Sequence, residues 1–328
     1  MFKLTTRVSN RKKEIGFQEL GILVSFAIIF IVFTILNPNF ATALNLLNLG
    51  RQISTLGIMS IGMTFLIIGG NFDLSVGSMF AFISTIVATM MHAGVNVIVA
   101  MLLGILLGLG LGMVNGILSS YGRIPSFVVG LGMLNVYRGW QLLITGASPI
   151  IVGWDTYSRG MTFFKYLGSG KLFEVIPMML VIFLILWAIG NFVLTRTPFG
   201  FRTSAVGGSP QAAKIVGINV NWIIIMGFGL TGALTAIASM LQLSFIGSVT
   251  GQVGQGYELE CIAAVIIGGT KLDGGEGTLI GTLIGAAVMG MLRNGLVLLG
   301  VSTFWQTLVI GLVIIVAVAI DKWSKKEV

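Results

Sequence analysis

The sequence predicts an all-α membrane protein, a polytopic helix bundle of about ten transmembrane helices with both termini in the cytoplasm. Of its 328 residues 55% are hydrophobic and only 9% are charged, and the mean hydropathy is +1.00. A soluble domain typically carries about 25% charged residues. So few charges cannot cover a water-facing surface, and the remaining apolar surface must therefore face lipid.

Ten apolar segments supply the predicted spans, since crossing the hydrocarbon core takes about 20 helical residues. The eighth is too short to cross alone and is predicted to be tilted, broken or re-entrant. The first is longer than the apolar core of a signal peptide, about 7–15 residues, so we expect it to be an uncleaved span. The predicted spans are 19–36, 52–69, 75–92, 95–120, 125–145, 173–194, 221–245, 259–269, 277–299 and 303–320.

The basic residues predict the orientation of this single domain, 1–328. With the N-terminus inside, thirteen Lys and Arg residues outside the spans fall on the inner side. Four fall on the outer side, namely Arg51, Arg159, Lys165 and Lys171. This bias predicts cytoplasmic tails at 1–18 and 321–328 and a cytoplasmic loop at 196–221.

Several function classes are disfavoured by the sequence. The net charge is +8, but the cations lie at the ends of apolar segments without forming a basic stripe, so nucleic acid is not an expected partner. One cysteine, Cys261, and one histidine, His92, cannot form a multi-residue metal site. No Ser-His-Asp, di-aspartate or His-Glu-x-x-His arrangement points to catalysis, and no phosphate-binding loop is present.

Residues 69–78 interrupt the apolar pattern between the second and third spans. Asp73 and Ser75 are either caps of the following helix or polar groups of a broken segment that lines a pathway. Polar side chains inside membrane spans are costly and often functional. Asn115, Gln242 and Asn294 are further candidate pathway residues for that reason.

The loop at 196–221 contains a second candidate site. Within residues 207–217, Ser209 is a suitable N-cap, Pro210 fits the first helical position and Gly217 fits the stop of a short helix. Such a helix either lies on the membrane surface or docks into a groove of a partner. The candidate docking residues are Gly208, Ser209, Pro210, Gln211, Ala212, Ala213, Lys214 and Gly217.

Four carboxylates flank the short eighth span. They suggest either helix caps at the membrane interface or an acid–base relay, and their position at opposite ends of the span favours caps. These residues are Glu258, Glu260, Asp273 and Glu276.

Glycines recur at every fourth position, which predicts close approach of helices. The two clearest series are Gly104, Gly108 and Gly112, and Gly277, Gly281 and Gly285.

Three motifs of the sequence form a pattern together. They are Gly69-Gly70-x-x-Asp73-Leu74-Ser75-Val76-Gly77-Ser78; Gly254-x-Gly256-Tyr257-Glu258-Leu259-x-x-Ile262-Ala263-Ala264 followed by Gly268-Gly269; and Asn294-Gly295-Leu296 with Leu299-Gly300-Val301 before Trp305-Gln306. In this order they resemble the permease subunit of bacterial ATP-binding-cassette importers for ribose and related sugars. The resemblance runs from about Asn37 to Asp321.

The resemblance implies a transport subunit of the bacterial inner membrane that carries no cofactor itself. Its implied partners are a second permease chain, identical or closely homologous, cytoplasmic ATPases that hold ATP and magnesium, and an extracytoplasmic sugar-binding protein. The short loop helix is similar to the family's coupling helix, although Gln211 replaces the usual glutamate. The family implies alternating access driven by ATP.

Two other transporter classes remain open at this stage. A related permease could carry branched-chain amino acids or a signalling furanose. An ion-driven secondary transporter typically needs an intramembrane carboxylate, and Asp73 is the candidate for that role.

Overall fold

A computed structural model describes residues 21–152 and 160–324 of the chain. The predicted N-terminal tail, 1–18, lies outside the described residues, as do Arg159 and the last part of the predicted C-terminal tail, 325–328. The described chain is almost entirely helical, and the predicted class of polytopic helical bundle is confirmed.

The elements follow one another along the chain with short connections. The helices are α1 (Gly21–Leu36), a 3-10 turn (Pro38–Ala41), α2 (Ala43–Ile68), α3 (Val76–His92), α4 (Val97–Ser120), α5 (Ser126–Thr145), α6 (Met161–Ser169), α7 (Met178–Arg196), α8 (Pro198–Gly208), α9 (Pro210–Ile215), α10 (Val220–Ile246), α11 (Tyr257–Ile267), α12 (Leu279–Leu298) and α13 (Thr303–Ser324). Two small antiparallel ladders pair β1 (Ile150–Ile151) with β4 (Ser248–Val249) and β2 (Lys171–Leu172) with β3 (Ile176–Pro177).

Six helices within the described ranges are long and apolar enough to cross a membrane, namely α2, α4, α5, α7, α10 and α12. Three shorter apolar helices accompany them, Gly21–Leu36, Val76–His92 and the stretch Thr303–Val316 of α13. The predicted short eighth segment is α11, which has 11 residues. At about 1.5 Å per residue it spans about half of the hydrocarbon thickness.

Helices α2 and α10 form the centre of the bundle, since most of their residues are buried inside the protein. By contrast, α4, α5 and α7 are mostly exposed along their apolar windows. The predicted glycine contacts are confirmed. A β-carbon on Gly112 would collide with the Phe228 carbonyl of α10, and one on Gly285 would collide with the Ala264 carbonyl of α11.

The second span begins at Ala43, and the predicted start at residue 52 is wrong. The first turns of α2 are polar, and they are helical because their polar side chains form hydrogen bonds within the protein. Asn45 donates to the Phe40 carbonyl, and Arg51 donates to Asn48 at 2.8 Å. Arg51, counted above as an outer loop residue, therefore lies within α2.

The sixth span begins at Met178, whereas the sequence predicted residue 173, because Lys171–Leu172 and Ile176–Pro177 form a hairpin before it. Helices α6 and α8 were not predicted. Lys165, counted above as part of an outer loop, lies in α6.

Candidate functional site

The short helix predicted in the cytoplasmic loop is present as α9. The Ser209 hydroxyl accepts a hydrogen bond from the Ala212 N–H at 3.2 Å, which confirms the predicted N-cap. Pro210 occupies the first turn, and Gly217 has a φ of +83°, the left-handed conformation that ends a helix. Local signals therefore mark both ends of this helix.

One face of α9 is anchored and the other is free. Ala213 is buried in a small cluster with Val206, Val220 and Ile223. Gln211, Ala212 and Lys214 are exposed, and the side chains of Ile215 and Val216 are 85% and 74% exposed. An exposed apolar surface at the tip of a rigid loop is typical of an interaction site.

The base of this loop meets two other segments through their backbones. A β-carbon on Gly207 would overlap the Ile68 carbonyl at the end of α2. A β-carbon on Gly274 would lie 3.0 Å from the Gly207 oxygen and 3.1 Å from the Gly70 backbone, and Gly275 donates to the Ile68 oxygen at 2.7 Å. We call these four residues, Gly70, Gly207, Gly274 and Gly275, the glycine junction.

The structure brings Asp73, Ser75 and Asn115 together in a buried network. Asp73 Oδ1 accepts from the Ser75 N–H at 2.8 Å and from the Ser75 hydroxyl at 2.6 Å. Asn115 Nδ2 donates to Asp73 Oδ2 at 3.2 Å and to Ser75 Oγ at 2.9 Å. The Tyr137 hydroxyl donates to Asn115 Oδ1 at 2.8 Å.

This network joins the α2–α3 connection to α4 and α5. All four residues are fully buried, so the network fixes one arrangement of these elements. The interpretation of Ser75 as a side-chain cap is wrong, because its hydroxyl donates to Asp73 and makes no cap bond to α3. Tyr137 was missed because only the fold brings it to Asn115.

Asn294 lies apart from that network. Its side-chain amide makes a reciprocal pair with Asn45, at 2.8 and 3.0 Å, and Asn45 also donates to the Phe40 carbonyl at 2.8 Å. The pair is buried between α2 and α12. It connects these two helices and leaves neither amide facing a cavity.

A cavity of about 230 Å³ lies between α2, α10, α11 and α12. Gln242, a predicted pathway residue, lies on its wall, and the Thr55 hydroxyl donates to its side-chain oxygen at 3.1 Å. We call this space the polar cavity. It is lined by Gln52, Thr55, Leu56, Gln242, Tyr257, Glu260, Met289, Gly290, Arg293 and Val297.

An ion pair forms part of this wall. Arg293 Nη1 lies 3.0 Å from Glu260 Oε1 and 3.2 Å from Oε2, and its guanidinium carbon lies 5.6 Å from the centroid of the Tyr257 ring. The Glu260 side chain is 9% exposed and that of Arg293 is 41% exposed. Glu260 is therefore a buried partner of α12, and its assignment as an interfacial cap is wrong.

The sequence held a signal for this pair. Arg293 is a cation within an apolar span, and such a group needs a partner inside the bundle.

The start of α11 is held inside the bundle by α5. Arg138 Nη1 donates to the carbonyls of Gly251 and Val253 at 2.8 and 3.0 Å, and Gln141 donates to the Thr250 carbonyl at 2.9 Å. Gly254, with a φ of +74°, packs against Gly77 of α3 with no room for a β-carbon. These contacts place Tyr257 and Glu260 at the cavity.

Comparison with known proteins gives consistent similarities. The family model described as the branched-chain amino acid transport system / permease component matches residues 45–318. The ribose import permease of Bacillus subtilis is 42% identical over 97% of this chain and 98% of its own length. The ribose import permease of Escherichia coli is 36% identical over 98% of this chain and 99% of its own length. The galactose/methyl galactoside import permease of Escherichia coli is 31% identical over 97% of this chain and 99% of its own length.

A solved structure shares the fold. A protein described as a metal-chelate type ABC transporter in an inward-facing conformation superposes with a TM-score of 0.54, covering 91% of this chain and 99% of that one. The sequence identity is 14%, so this likeness shows the fold alone.

Proposed function

Since the chain belongs to the family of branched-chain amino acid transport system / permease components, we propose that it is the membrane-spanning subunit of an ATP-binding-cassette importer for a monosaccharide, ribose or a related sugar. The observation that carries this is the similarity to a ribose import permease, 42% identical over 97% of this chain and 98% of the relative. At that coverage no transmembrane segment of the relative lacks a counterpart.

The energy source lies on a partner in this proposal. The chain has no phosphate-binding loop, so ATP and magnesium would be held by cytoplasmic ATPase subunits. Helix α9 is the proposed docking element, because it is anchored through Ala213 and exposes Ala212, Ile215 and Val216. The protein would reside in the bacterial cytoplasmic membrane with α9 and both termini inside.

The glycine junction supports a route for coupling. A movement of α9 would be transmitted to the end of α2 and to the α11–α12 connection, since the three segments touch through their backbones at Gly207, Ile68 and Gly275. Helices α2, α11 and α12 all line the polar cavity. A second permease chain and an extracytoplasmic binding protein would complete the assembly.

Transport by the reconstituted complex tests this proposal. Proteoliposomes that contain the permease, its ATPase and its binding protein should accumulate labelled D-ribose only with ATP inside and the loaded binding protein outside. A protonophore should leave this uptake unchanged. Uptake driven by a proton gradient without the ATPase would instead establish a secondary transporter.

A branched-chain amino acid is the second candidate substrate, and the description of the matching family favours it. Excess unlabelled D-ribose should abolish labelled uptake in the same proteoliposomes, whereas excess L-leucine should leave it unchanged. Accumulation of labelled L-leucine but not of labelled D-ribose, with leucine bound by the binding protein, would instead assign the chain to amino-acid import.

A further inference from the structure

We propose that the polar cavity is the place where the passing solute contacts this chain, and that the Glu260–Arg293 pair makes it selective for neutral polyhydroxylated solutes. This inference rests on the proposed function.

The depth of the cavity in the bundle fits a place on the route of a crossing solute. Thr55 precedes Ile68 by 13 residues along α2, which places it about 20 Å from the glycine junction. Arg293 is 14 residues beyond Leu279 along α12, again about 20 Å. Since Thr55 is also 12 residues from the start of α2 at Ala43, the cavity lies near the middle of the bundle, at a depth that a solute crossing the bundle must pass.

The lining suits a small polyol. Two glutamine amides and the Thr55 hydroxyl offer uncharged donors and acceptors, while Leu56, Met289 and Val297 offer apolar surface for ring C–H groups. The volume of about 230 Å³ is below the range of about 300–1,000 Å³ that is typical of pockets for drug-sized ligands. A site of this size and mixed polarity accommodates one small sugar.

The charge of the wall determines which solutes it favours. Both carboxylate oxygens of Glu260 contact the same guanidinium nitrogen of Arg293, so the two charges neutralise each other. A neutral solute can hydrogen-bond beside this pair without a counter-ion. An anionic solute would compete with Glu260 for Arg293 and would meet a carboxylate at close range, which disfavours it.

Thiol modification tests whether the solute passes here. The natural cysteine, Cys261, is fully buried, so the parent chain serves as the blank. Val297→Cys introduces a thiol on the cavity wall at a site that is 55% exposed, and Val175→Cys, 60% exposed in the turn between β2 and β3, is a control outside the cavity and outside the apolar helices. The reagent is 2-sulfonatoethyl methanethiosulfonate, applied to the complex reconstituted with its ATPase and binding protein.

Modification of Val297→Cys should lower D-ribose uptake about tenfold, since a bulky anion in the passage misplaces the solute. Transported D-ribose should also slow this modification. The Val175→Cys complex should transport at an unchanged rate after the same treatment. Unchanged uptake by the fully modified Val297→Cys complex would overturn the proposed site, whereas absence of uptake by the untreated parent would instead contradict the proposed function.

Charge variants test the selectivity. In the Val297→Cys background, D-ribose should protect the thiol better than D-ribonate, the carboxylate of similar carbon skeleton. Glu260→Gln leaves Arg293 without its carboxylate and should reverse this order, while the double variant Glu260→Gln/Arg293→Gln should restore it. If the pair had a purely structural role, Glu260→Gln would weaken the protection of the thiol by D-ribose and by D-ribonate alike, and D-ribose would remain the better protector. That result would overturn the proposed selectivity.

Discussion

The backbone N–H of Gly275 donates a 2.7 Å hydrogen bond to the carbonyl oxygen of Ile68, the last residue of α2. The same carbonyl is covered by Gly207 at the base of the α8–α9 loop. One carbonyl therefore contacts both the segment that carries the proposed docking helix and the segment that joins two cavity helices. Glycines are needed at this point, because any side chain would separate the three backbones.

The Gly207→Ala substitution should destabilise the permease, since its β-carbon would overlap the Ile68 carbonyl. Overpacking of this kind typically costs about 1–3 kcal/mol. The neighbouring Gly208→Ala is the matched control, because nothing lies within 4 Å of a β-carbon there. The melting temperatures of the two purified variants give the comparison, and equal values would show that the glycine junction is not tightly packed.

The Asp73→Leu substitution should destabilise the protein more than Asp73→Asn. Leucine removes both acceptors and leaves the Ser75 N–H and the Ser75 hydroxyl without their acceptor, at about 1–3 kcal/mol each. Asparagine retains one acceptor oxygen. Thermal unfolding measures stability, and labelled-sugar uptake by the assembled complex measures function. If Asp73→Asn folded normally yet abolished uptake, the carboxylate itself would be required, as in an ion-driven transporter.

The Asn45–Asn294 pair should show strong energetic coupling. Either single substitution to leucine leaves one buried amide without its partner, whereas the double variant removes both. The double variant should therefore be more stable than the sum of the two losses implies, with a coupling of about 0.5–3 kcal/mol. Asn135, whose amide bonds to its own helix at Leu131, is the control partner for Asn294, and that combination should be additive.

The Arg138→Met substitution should loosen the segment before α11. It removes the donor to the carbonyls of Gly251 and Val253, and hydrogen bonds to charged groups contribute about 1.5–3 kcal/mol. Hydrogen exchange at the amides of Val253, Gln255 and Tyr257, which are bonded within this segment, should become faster. Arg196→Met, at the end of α7, should leave these amides unchanged. Equal exchange in both variants would show that α5 does not hold the segment.

The parts of this structure that were predictable from sequence are those with local causes. Ser209, Pro210 and Gly217 determine α9 within a few residues, and the glycine series on α4 and α12 indicate close packing directly. The short eighth span was evident from its length alone.

The other features depend on contacts between distant parts of the chain. The buried pairing of Asn45 joins α2 to α12, because its partner Asn294 is 249 residues away. The closed network at Asp73 needs Tyr137 of α5, and the cavity wall needs Glu260 and Arg293 on different helices. The sequence does show which polar residues lie within spans. No sequence pattern, however, distinguishes polar side chains that hydrogen-bond to one another from polar side chains that line a solute pathway.

Co-purification of the permease with its ATPase tests the central claim most directly. Ala212 is exposed on α9, so Ala212→Arg should fold normally but block docking with its bulky cation. Tyr121→Arg, at a site that is 63% exposed in the α4–α5 connection, is the control. We expect the ATPase to co-purify with the parent and with Tyr121→Arg and to be lost with Ala212→Arg. Retention of the ATPase by folded Ala212→Arg would contradict docking at α9.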